Sequence, residues 1–298
     1  MSNWVREILP PQPWQQFASI YSHPRTARTC VRVLQDSSRE GSLPPTMKTQ
    51  QVHYLQKLLD QNRLKPERDA VILDLACGTG DHLFTFLIQG RQGRGIDINP
   101  YAIKVAEKRA LGNWIALDLE RAPDRERTFA DLKGRAQLVY MVYGTWCTLS
   151  PPTRIALMDE ISRALAPGGV FVFDGFTYMH RTKDSQESSF KDAPLLESSE
   201  SYWSDWGGFW GFFPTPITEE HWHFPRQALR AEMYTLGGVK FCTWKQGMDP
   251  HLEGSKILDR YPDFEVIDRS PGSFGVNLPP EEGGKWFTLA LRKTVENK

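Results

Sequence analysis

The sequence has no excess of charge of either sign. Its 298 residues include 36 Asp and Glu residues against 36 Lys and Arg residues, which gives a formal net charge of +0. It also has no apolar run that approaches the roughly 18 residues of a membrane-spanning helix. A chain without a basic surface lacks the electrostatic means to hold a nucleic acid or an anionic membrane. We therefore expect neither a nucleic acid nor a membrane as a partner.

Cysteine is scarce, and its spacing implies no structural site. None of the four cysteines has the paired spacing of a zinc site or a disulfide framework; they are Cys30, Cys77, Cys147 and Cys242. The first residues, which include an acid and three prolines, are not typical of a secretory signal peptide. We expect a protein of the reducing cytoplasm, with no metal in its site.

The most informative stretch is a short apolar run followed by a glycine-containing turn. Residues 71–75 predict a buried parallel strand, and apolar residues at helical spacing between 83 and 87 predict a helix. Gly78 and Gly80 lie in the turn between them. Strand, glycine turn and helix form the nucleotide-binding entry of an open α/β sheet. Glycine lets the backbone approach a ligand there, and the free amides of the new helix favour a negative group.

The same turn lacks the features of two common nucleotide sites. A dinucleotide fingerprint requires a third glycine where Leu83 stands, and no Gly-Lys-Ser/Thr of a P-loop is present. Asp74, at the end of the strand, would repel a pyrophosphate. It would tolerate or attract a ligand that carries a positive group.

At this point the chain resembles the class I S-adenosylmethionine-dependent methyltransferases. Their first motif is an apolar strand and an acid followed by Gly-x-Gly, as in the stretch Asp74-Leu75-Ala76-Cys77-Gly78-Thr79-Gly80. The resemblance implies S-adenosyl-L-methionine as the cofactor, and it implies five cofactor-binding residues here: Asp74, Ala76, Cys77, Gly78 and Gly80. A strand, turn and helix without a ligand is the alternative.

Two further acids follow at the ends of the next strands. Asp97 lies 17 residues beyond Gly80, near the spacing at which a βαβ unit places a carboxylate on a ribose. Taken alone, Asp97 could instead cap the following helix. The resemblance implies that Asp97 and Ile98 belong to the cofactor site. It also implies that Asp118 accepts a hydrogen bond from the adenine amino group while Leu119 packs on the ring.

The fourth strand is predicted over 137–143 and ends at Tyr143-Gly144-Thr145-Trp146. Ligands of this class of sheet bind outside the carboxyl ends of the strands. We therefore predict that Tyr143 contacts the cofactor and acts as a catalytic residue that lines the transferred methyl, with packing at the strand end as the alternative. Methyltransferases of nucleic acid bases usually carry Asn/Asp-Pro-Pro-aromatic here, and its absence favours a small-molecule acceptor.

The first 65 residues are predicted to be helical, with a helix over 47–64 that packs on the sheet. In the resembling family such a prefix often folds over the cofactor as a lid. Tyr21 is then expected near the methionine carboxylate of the cofactor, and Arg28 could pair with that carboxylate. A core aromatic residue and an exposed arginine are the respective alternatives.

About 75 residues follow the fifth strand, far more than an ordinary loop of about 4–6 residues. Gly237-Gly238 predicts a hairpin, whereas 180–201 is expected to be polar and mobile. The segment resembles the substrate-covering sheet of small-molecule N-methyltransferases. His221 and His223 alternate in a predicted strand with Glu219, and we predict that one of the histidines takes the acceptor's proton. A solvated polar face or a metal site are the alternatives.

The sequence thus predicts an α/β fold, a doubly wound, seven-stranded, mostly parallel Rossmann-like sheet with an antiparallel β insertion after strand 5. The expected division is a lid at 1–65, a core at 66–174, an insertion at 175–249 and the rest of the core sheet at 250–298. The resemblance implies a methyltransferase with a small-molecule acceptor, N-methylation being favoured over O-methylation. Another chemistry with the same cofactor, such as cyclisation, or a non-catalytic partner protein stays open, as does the oligomeric state.

Overall fold

The chain forms two sheets and several helices, which a computed structural model shows. The structure describes residues 28, 45–62, 64, 70–176, 195–201, 218–224, 229–236, 239–276 and 286–294. The first group of elements in chain order is α1 (Pro45–Gln61), β1 (Val71–Leu75), α2 (Asp81–Ile88), β2 (Gln92–Asp97), α3 (Pro100–Arg109), β3 (Asn113–Ala116), α4 (Ala122–Phe129), β4 (Ala136–Met141), α5 (Thr145–Thr148), α6 (Pro151–Ala164) and β5 (Leu165–Phe176). The second group is β6 (Leu195–Ser201), β7 (Thr218–Phe224), β8 (Leu229–Leu236), β9 (Val239–Gln246), α7 (Pro250–Arg260), β10 (Phe264–Pro271) and β11 (Trp286–Lys293).

The larger sheet has seven strands in the spatial order β10-β11-β5-β4-β1-β2-β3. β1 to β5 run parallel, and β11 is antiparallel to both β5 and β10. The order reverses at β1 and β4, which places the crevice of a doubly wound sheet at their carboxyl ends. The predicted seven-stranded, mostly parallel sheet is confirmed.

Both faces of this sheet are covered, because successive strand residues point to opposite sides. One face, with Leu73, Val139 and Phe173, packs against apolar residues of α4, α6 and α7. The other face, with Ile72 and Leu138, packs against α1, α2 and α3. The predicted helix near the N-terminus is α1, and its leucines lie in this second core. The strands consequently read as continuous apolar runs, which is typical of a parallel sheet.

Three helices of the core begin at side chains that accept hydrogen bonds from their first amides. Asn99 caps α3, Ser150 caps α6 and Asp249 caps α7. Each helix also has proline in its first turn, where the missing N–H costs nothing. None of the described helices is both long and apolar enough to cross a bilayer.

Two predicted strand limits are corrected. The fourth strand ends at Met141 rather than Tyr143, because Tyr143 and Gly144 have φ values of 63° and 68° that no strand accommodates. The fifth strand begins at Leu165, well before the predicted 170, since a bulge shifts its register against β4 between Leu165 and Val170.

The smaller sheet contains β6 to β9 in sequence order, and every neighbouring pair is antiparallel. All four strands fall within the segment where the insertion was expected. Leu236 pairs with Val239, so Gly237-Gly238 connects a tight hairpin, as predicted. Residues 195–201, expected to be mobile, instead form β6, because pairing with β7 gives their backbone groups partners. The division of the chain into four domains stays a prediction.

We expect the core packing to be sensitive at Leu289, which is 0% exposed and pairs with Phe173. Leu289→Ala should lower the unfolding free energy by about 2–5 kcal/mol, because it leaves a cavity. The matched change Leu111→Ala, at a leucine that is 100% exposed, should alter it by less than about 0.5 kcal/mol. Urea denaturation measures both, and equal effects would contradict the assigned core.

Candidate active site

The glycine turn after β1 has a left-handed backbone at three positions. Ala76, Gly78 and Gly80 have φ values of 64°, 53° and 76°. A Cβ at Gly80 would lie 2.5 Å from the indole of Trp114, so this glycine is required by packing as well as by its φ. From the sequence, glycine at position 80 was expected to be required only by the approach of a ligand. The Cys77 thiol is buried under the turn, and burial raises its pKa well above the usual value.

Asp74 lies at the base of this turn with its side chain buried. Its carboxylate accepts a hydrogen bond of 2.9 Å from the Tyr140 hydroxyl. Burial raises the pKa of Asp74 to about 8, and the negative charge of nearby Asp97 adds to that effect. Asp74 is therefore a partly protonated group that an approaching positive charge would ionise.

Asp97 points its carboxylate back to the glycine turn. One oxygen accepts from the Gly78 amide at 2.8 Å and the other from the Asn99 amide at 2.7 Å. Burial raises the pKa of Asp97, although both amides oppose that shift. A carboxylate has about four lone-pair directions, so these two bonds leave capacity for a diol. The structure brings Asp74, Gly78 and Asp97 together as the spacing predicts.

The third acid lies at the outer side of the same edge. Asp118 follows β3, is half-buried, and accepts a hydrogen bond from the Glu120 amide at 2.9 Å. Burial raises its pKa. Ile98 is half-buried after β2, and Leu119 is buried. Asp118 and Ile98 therefore keep some access to the crevice, whereas only 7% of Leu119 is exposed.

Tyr143 stands at the carboxyl end of β4 in a strained backbone conformation. Its amide and that of Gly144 donate to the two oxygens of Asp174, at 3.0 and 2.7 Å. The side chain is 37% exposed, and its hydroxyl donates to Gln51 at 3.1 Å. Burial raises the pKa of the Tyr143 hydroxyl, so it does not ionise at neutral pH. The neighbouring Trp146 is buried and stacks on Phe173, hence it belongs to the core.

Helix α1 contacts the start of α2, directly after the glycine turn. Lys48 pairs with Asp81 at 2.7 Å, and Arg109 of α3 pairs with the same carboxylate. Gln51 is hydrogen-bonded to His82 at 2.9 Å. Burial and the charge of Arg109 lower the pKa of Lys48 to about 8. This side of the site was missed, although a glutamine on the apolar face of α1 was a signal for it.

Four other residues were predicted for the site, and they are Arg28, Tyr21, His221 and His223. The Arg28 side chain is exposed and lies 5.0 Å from the centre of the Tyr101 ring, in the first turn of α3. Tyr21 lies outside the described residues. The backbone of β7 places His221 and His223 two residues apart, on one face of the smaller sheet. Asp174, which fixes Tyr143, was not singled out by the sequence argument.

Comparison with known proteins agrees with this fold. Residues 72–169 match the family model described as a methyltransferase domain. No curated protein sequence is significantly similar to the chain. The methyltransferase CcbJ from Streptomyces caelestis superposes with a TM-score of 0.59 at 14% identity, over 95% of this chain and 99% of the other.

Two further solved structures are similar. An amino pentose methyltransferase from Micromonospora echinaspora superposes with a TM-score of 0.51 at 16% identity, over 88% of this chain and 97% of the other. A sugar N-methyltransferase from Streptoalloteichus gives a TM-score of 0.51 at 13% identity, over 83% and 88%. With the strand order, they show that the chain has the fold of these methyltransferases, and the family match over residues 72–169 agrees with that fold.

We expect the pH dependence of stability to reveal Asp74. Its pKa rises from 3.8 to about 8 on folding, so its contribution to stability is present below pH 3.8 and is lost as the pH rises to about 8. Asp74→Asn cannot ionise and should reduce this loss, by at most about 1.4 kcal/mol per pH unit. Asp174, whose pKa burial raises to about 7, supplies a similar slope that remains.

Urea denaturation across a pH series measures this slope for the unaltered protein and each variant. Asp259→Asn is the matched control, because Asp259 is an exposed acid on α7. The control should leave the slope unchanged. A slope in Asp74→Asn equal to that of the unaltered protein would contradict the buried, protonated carboxyl.

Proposed function

We propose that the chain transfers a methyl group to a small-molecule acceptor, and that the acceptor atom is nitrogen rather than oxygen. When bound, S-adenosylmethionine supplies a methyl group that its sulfonium already activates. The protein has to align the acceptor with that methyl and exclude water. Alignment alone lowers such a barrier by on the order of 7–11 kcal/mol.

The observation that carries the cofactor site is the carboxylate of Asp97 beside the left-handed glycine turn. Its two remaining lone-pair directions suit the ribose hydroxyls, while Gly78 and Gly80 bring the backbone close. Asp74 and Asp97 make the crevice acidic, which suits a cofactor with positive groups. Asp118 and Leu119 are proposed at the adenine, and Ala76, Cys77 and Ile98 along the nucleoside. Tyr21 and Arg28 are proposed at the methionine end.

We propose that the ring of Tyr143 packs against the methyl group that is transferred. Its hydroxyl is held by Gln51, so the ring and not the hydroxyl is available to the crevice. Among the described residues, Tyr143 is held by Gln51, His82 and Asp174, which are all buried. None of these three is an exposed base for a hydroxyl acceptor. An amine that arrives neutral needs no strong base, which favours nitrogen as the acceptor.

Two of the similar structures support this choice by their names, which specify an amino pentose and the nitrogen of a sugar. The proton of the methylated amine still has to leave. We propose that His221 or His223, which share one face of β7, receives it. The smaller sheet reaches the core through β9, which lies against α5 directly after Tyr143.

Transfer of label from methyl-labelled cofactor tests the function. Label should enter products from amino sugars and other small amines, at rates above those from matched hydroxyl compounds. A faster reaction with hydroxyl acceptors would contradict the preference for nitrogen. If the cofactor is consumed but no acceptor carries the label, the protein uses the cofactor for another chemistry. His221→Ala and His223→Ala enter the same assay, and unchanged turnover in both would contradict their role.

We expect Asp97→Asn to weaken binding of S-adenosylhomocysteine by about tenfold or more, because one charged acceptor is lost. Isothermal calorimetry measures the affinity, and Asp259→Asn should leave it unchanged. An analogue that lacks both ribose hydroxyls should bind Asp97→Asn and the unaltered protein equally. A weaker affinity of Asp97→Asn for this analogue would place the effect in the turn rather than on the ribose.

A further inference from the structure

A closed ring of hydrogen bonds surrounds Tyr143 on its buried side. The Tyr143 hydroxyl donates to Gln51 at 3.1 Å, and Gln51 donates to Ser273 at 2.9 Å. Ser273 donates to Asp174, whose carboxylate accepts the Tyr143 amide. The ring therefore joins α1, the loop after β10 and the ends of β5 and β4.

When Asp174 is ionised, the direction of each bond in this ring follows from the groups that form it. Ser273 gives its hydroxyl proton to Asp174, so its oxygen accepts from the Gln51 amide nitrogen. The Gln51 oxygen must then be the acceptor for both Tyr143 and His82. Burial and the charge of Lys48 lower the pKa of His82 to about 3, so His82 is a neutral donor.

The members of the ring differ in exposure. Gln51, Ser273 and Asp174 are each 0% exposed, whereas Tyr143 is 37% exposed. In a buried environment each of these hydrogen bonds is stronger, and an unpaired member would be costly. Of these residues, only Tyr143 is therefore exposed to the crevice. Its buried hydrogen-bond partners hold the side chain in place.

Gln51 also reaches the cofactor side of the crevice. His82 is the second residue of α2 and follows the glycine turn directly, and its ring packs edge-on against Tyr143 at 5.9 Å. A single amide oxygen thus holds one group from the glycine-turn side and one from the end of β4.

We propose that Gln51 is a positioning residue of the methyl-transfer site, which holds the ring of Tyr143 at a fixed place relative to the glycine turn. The inference rests on the proposed function, in which Tyr143 lines the methyl. Gln51 acts through Tyr143 and does not touch the reacting atoms. A small displacement of such a group slows a reaction strongly without removing the binding site.

The test is a double-mutant cycle with Gln51→Met and Tyr143→Phe. Both changes break the bond between Tyr143 and Gln51, and Gln51→Met also removes the bonds to Ser273 and His82. Each should lower kcat by about tenfold, and the double variant should be no slower than Gln51→Met. KM for the cofactor should change by less than about threefold, since Tyr143→Phe keeps the ring that lines the methyl and Gln51 does not touch the cofactor. Gln56→Met is the matched control on the same helix, because the Gln56 amide donates a hydrogen bond to Asp60 and to no member of the ring, and its kcat should be unchanged.

Independent, multiplicative losses in kcat would overturn the proposal, and so would a loss confined to KM. If Gln51→Met does not fold, Tyr143→Phe alone tests the proposal, because it removes the same hydrogen bond by changing the exposed partner. A fall in kcat with unchanged KM then supports the proposal, and an unchanged kcat overturns it.

Urea unfolding of the same variants without cofactor separates this inference from the proposed function. The two changes should be non-additive by about threefold to tenfold in the unfolding constant, because they share one bond. This coupling, together with no turnover of any acceptor by the unaltered protein, would overturn the proposed function and leave the bond to Tyr143 established. Additive unfolding effects would show that Gln51 does not hold Tyr143.

Discussion

Carboxylates at the ends of two strands hold the two strained turns that line the crevice. Asp97 of β2 accepts the Gly78 amide in the turn after β1, and Asp174 of β5 accepts the amides of Tyr143 and Gly144 after β4. In both cases the acid belongs to the strand beside the one that the turn follows. Each turn has one left-handed residue other than glycine, Ala76 or Tyr143, at a cost of about 1–3 kcal/mol, and bonds to a charged acceptor offset a cost of that size. The pairing of the strands therefore sets the shape of the site.

Two buried acids give the crevice its electrostatic character. Asp74 and Asp174 are buried enough that their pKa values reach about 8 and about 7. Their negative charge is thus only partly developed at neutral pH and would grow beside a cation. Hydroxyls of Tyr140 and Ser273 stabilise the charged forms without adding charge of their own. Such a site fits the proposed cofactor, whose reactive end is positive.

The sequence predicts the parts of the structure that depend on residues close together along the chain. Apolar runs and the glycine turn predict the strands around β1, and the spacing from Gly80 places Asp97. The interactions of Trp114 with Gly80 and of Gln51 with Ser273 are different, because they join residues that are distant along the chain. Periodicity carries no information on such pairs. Their only local sign is a polar or small residue at an otherwise apolar position, such as Gln51 on α1.

The contacts of α1 also constrain the order in which the protein assembles during synthesis. Gln51 and Ser273 are separated by 222 residues, and Tyr54 and Asp268 by 214. An emerging chain can form the first five strands long before these partners leave the ribosome. Contacts of such long sequence separation form slowly, because the entropy of the long loop is lost before the contact can stabilise it. Helix α1 can pack on α2 early through Asp81 and His82, whereas its bonds to Ser273 and Asp268 are expected to form last, once the polypeptide is nearly finished.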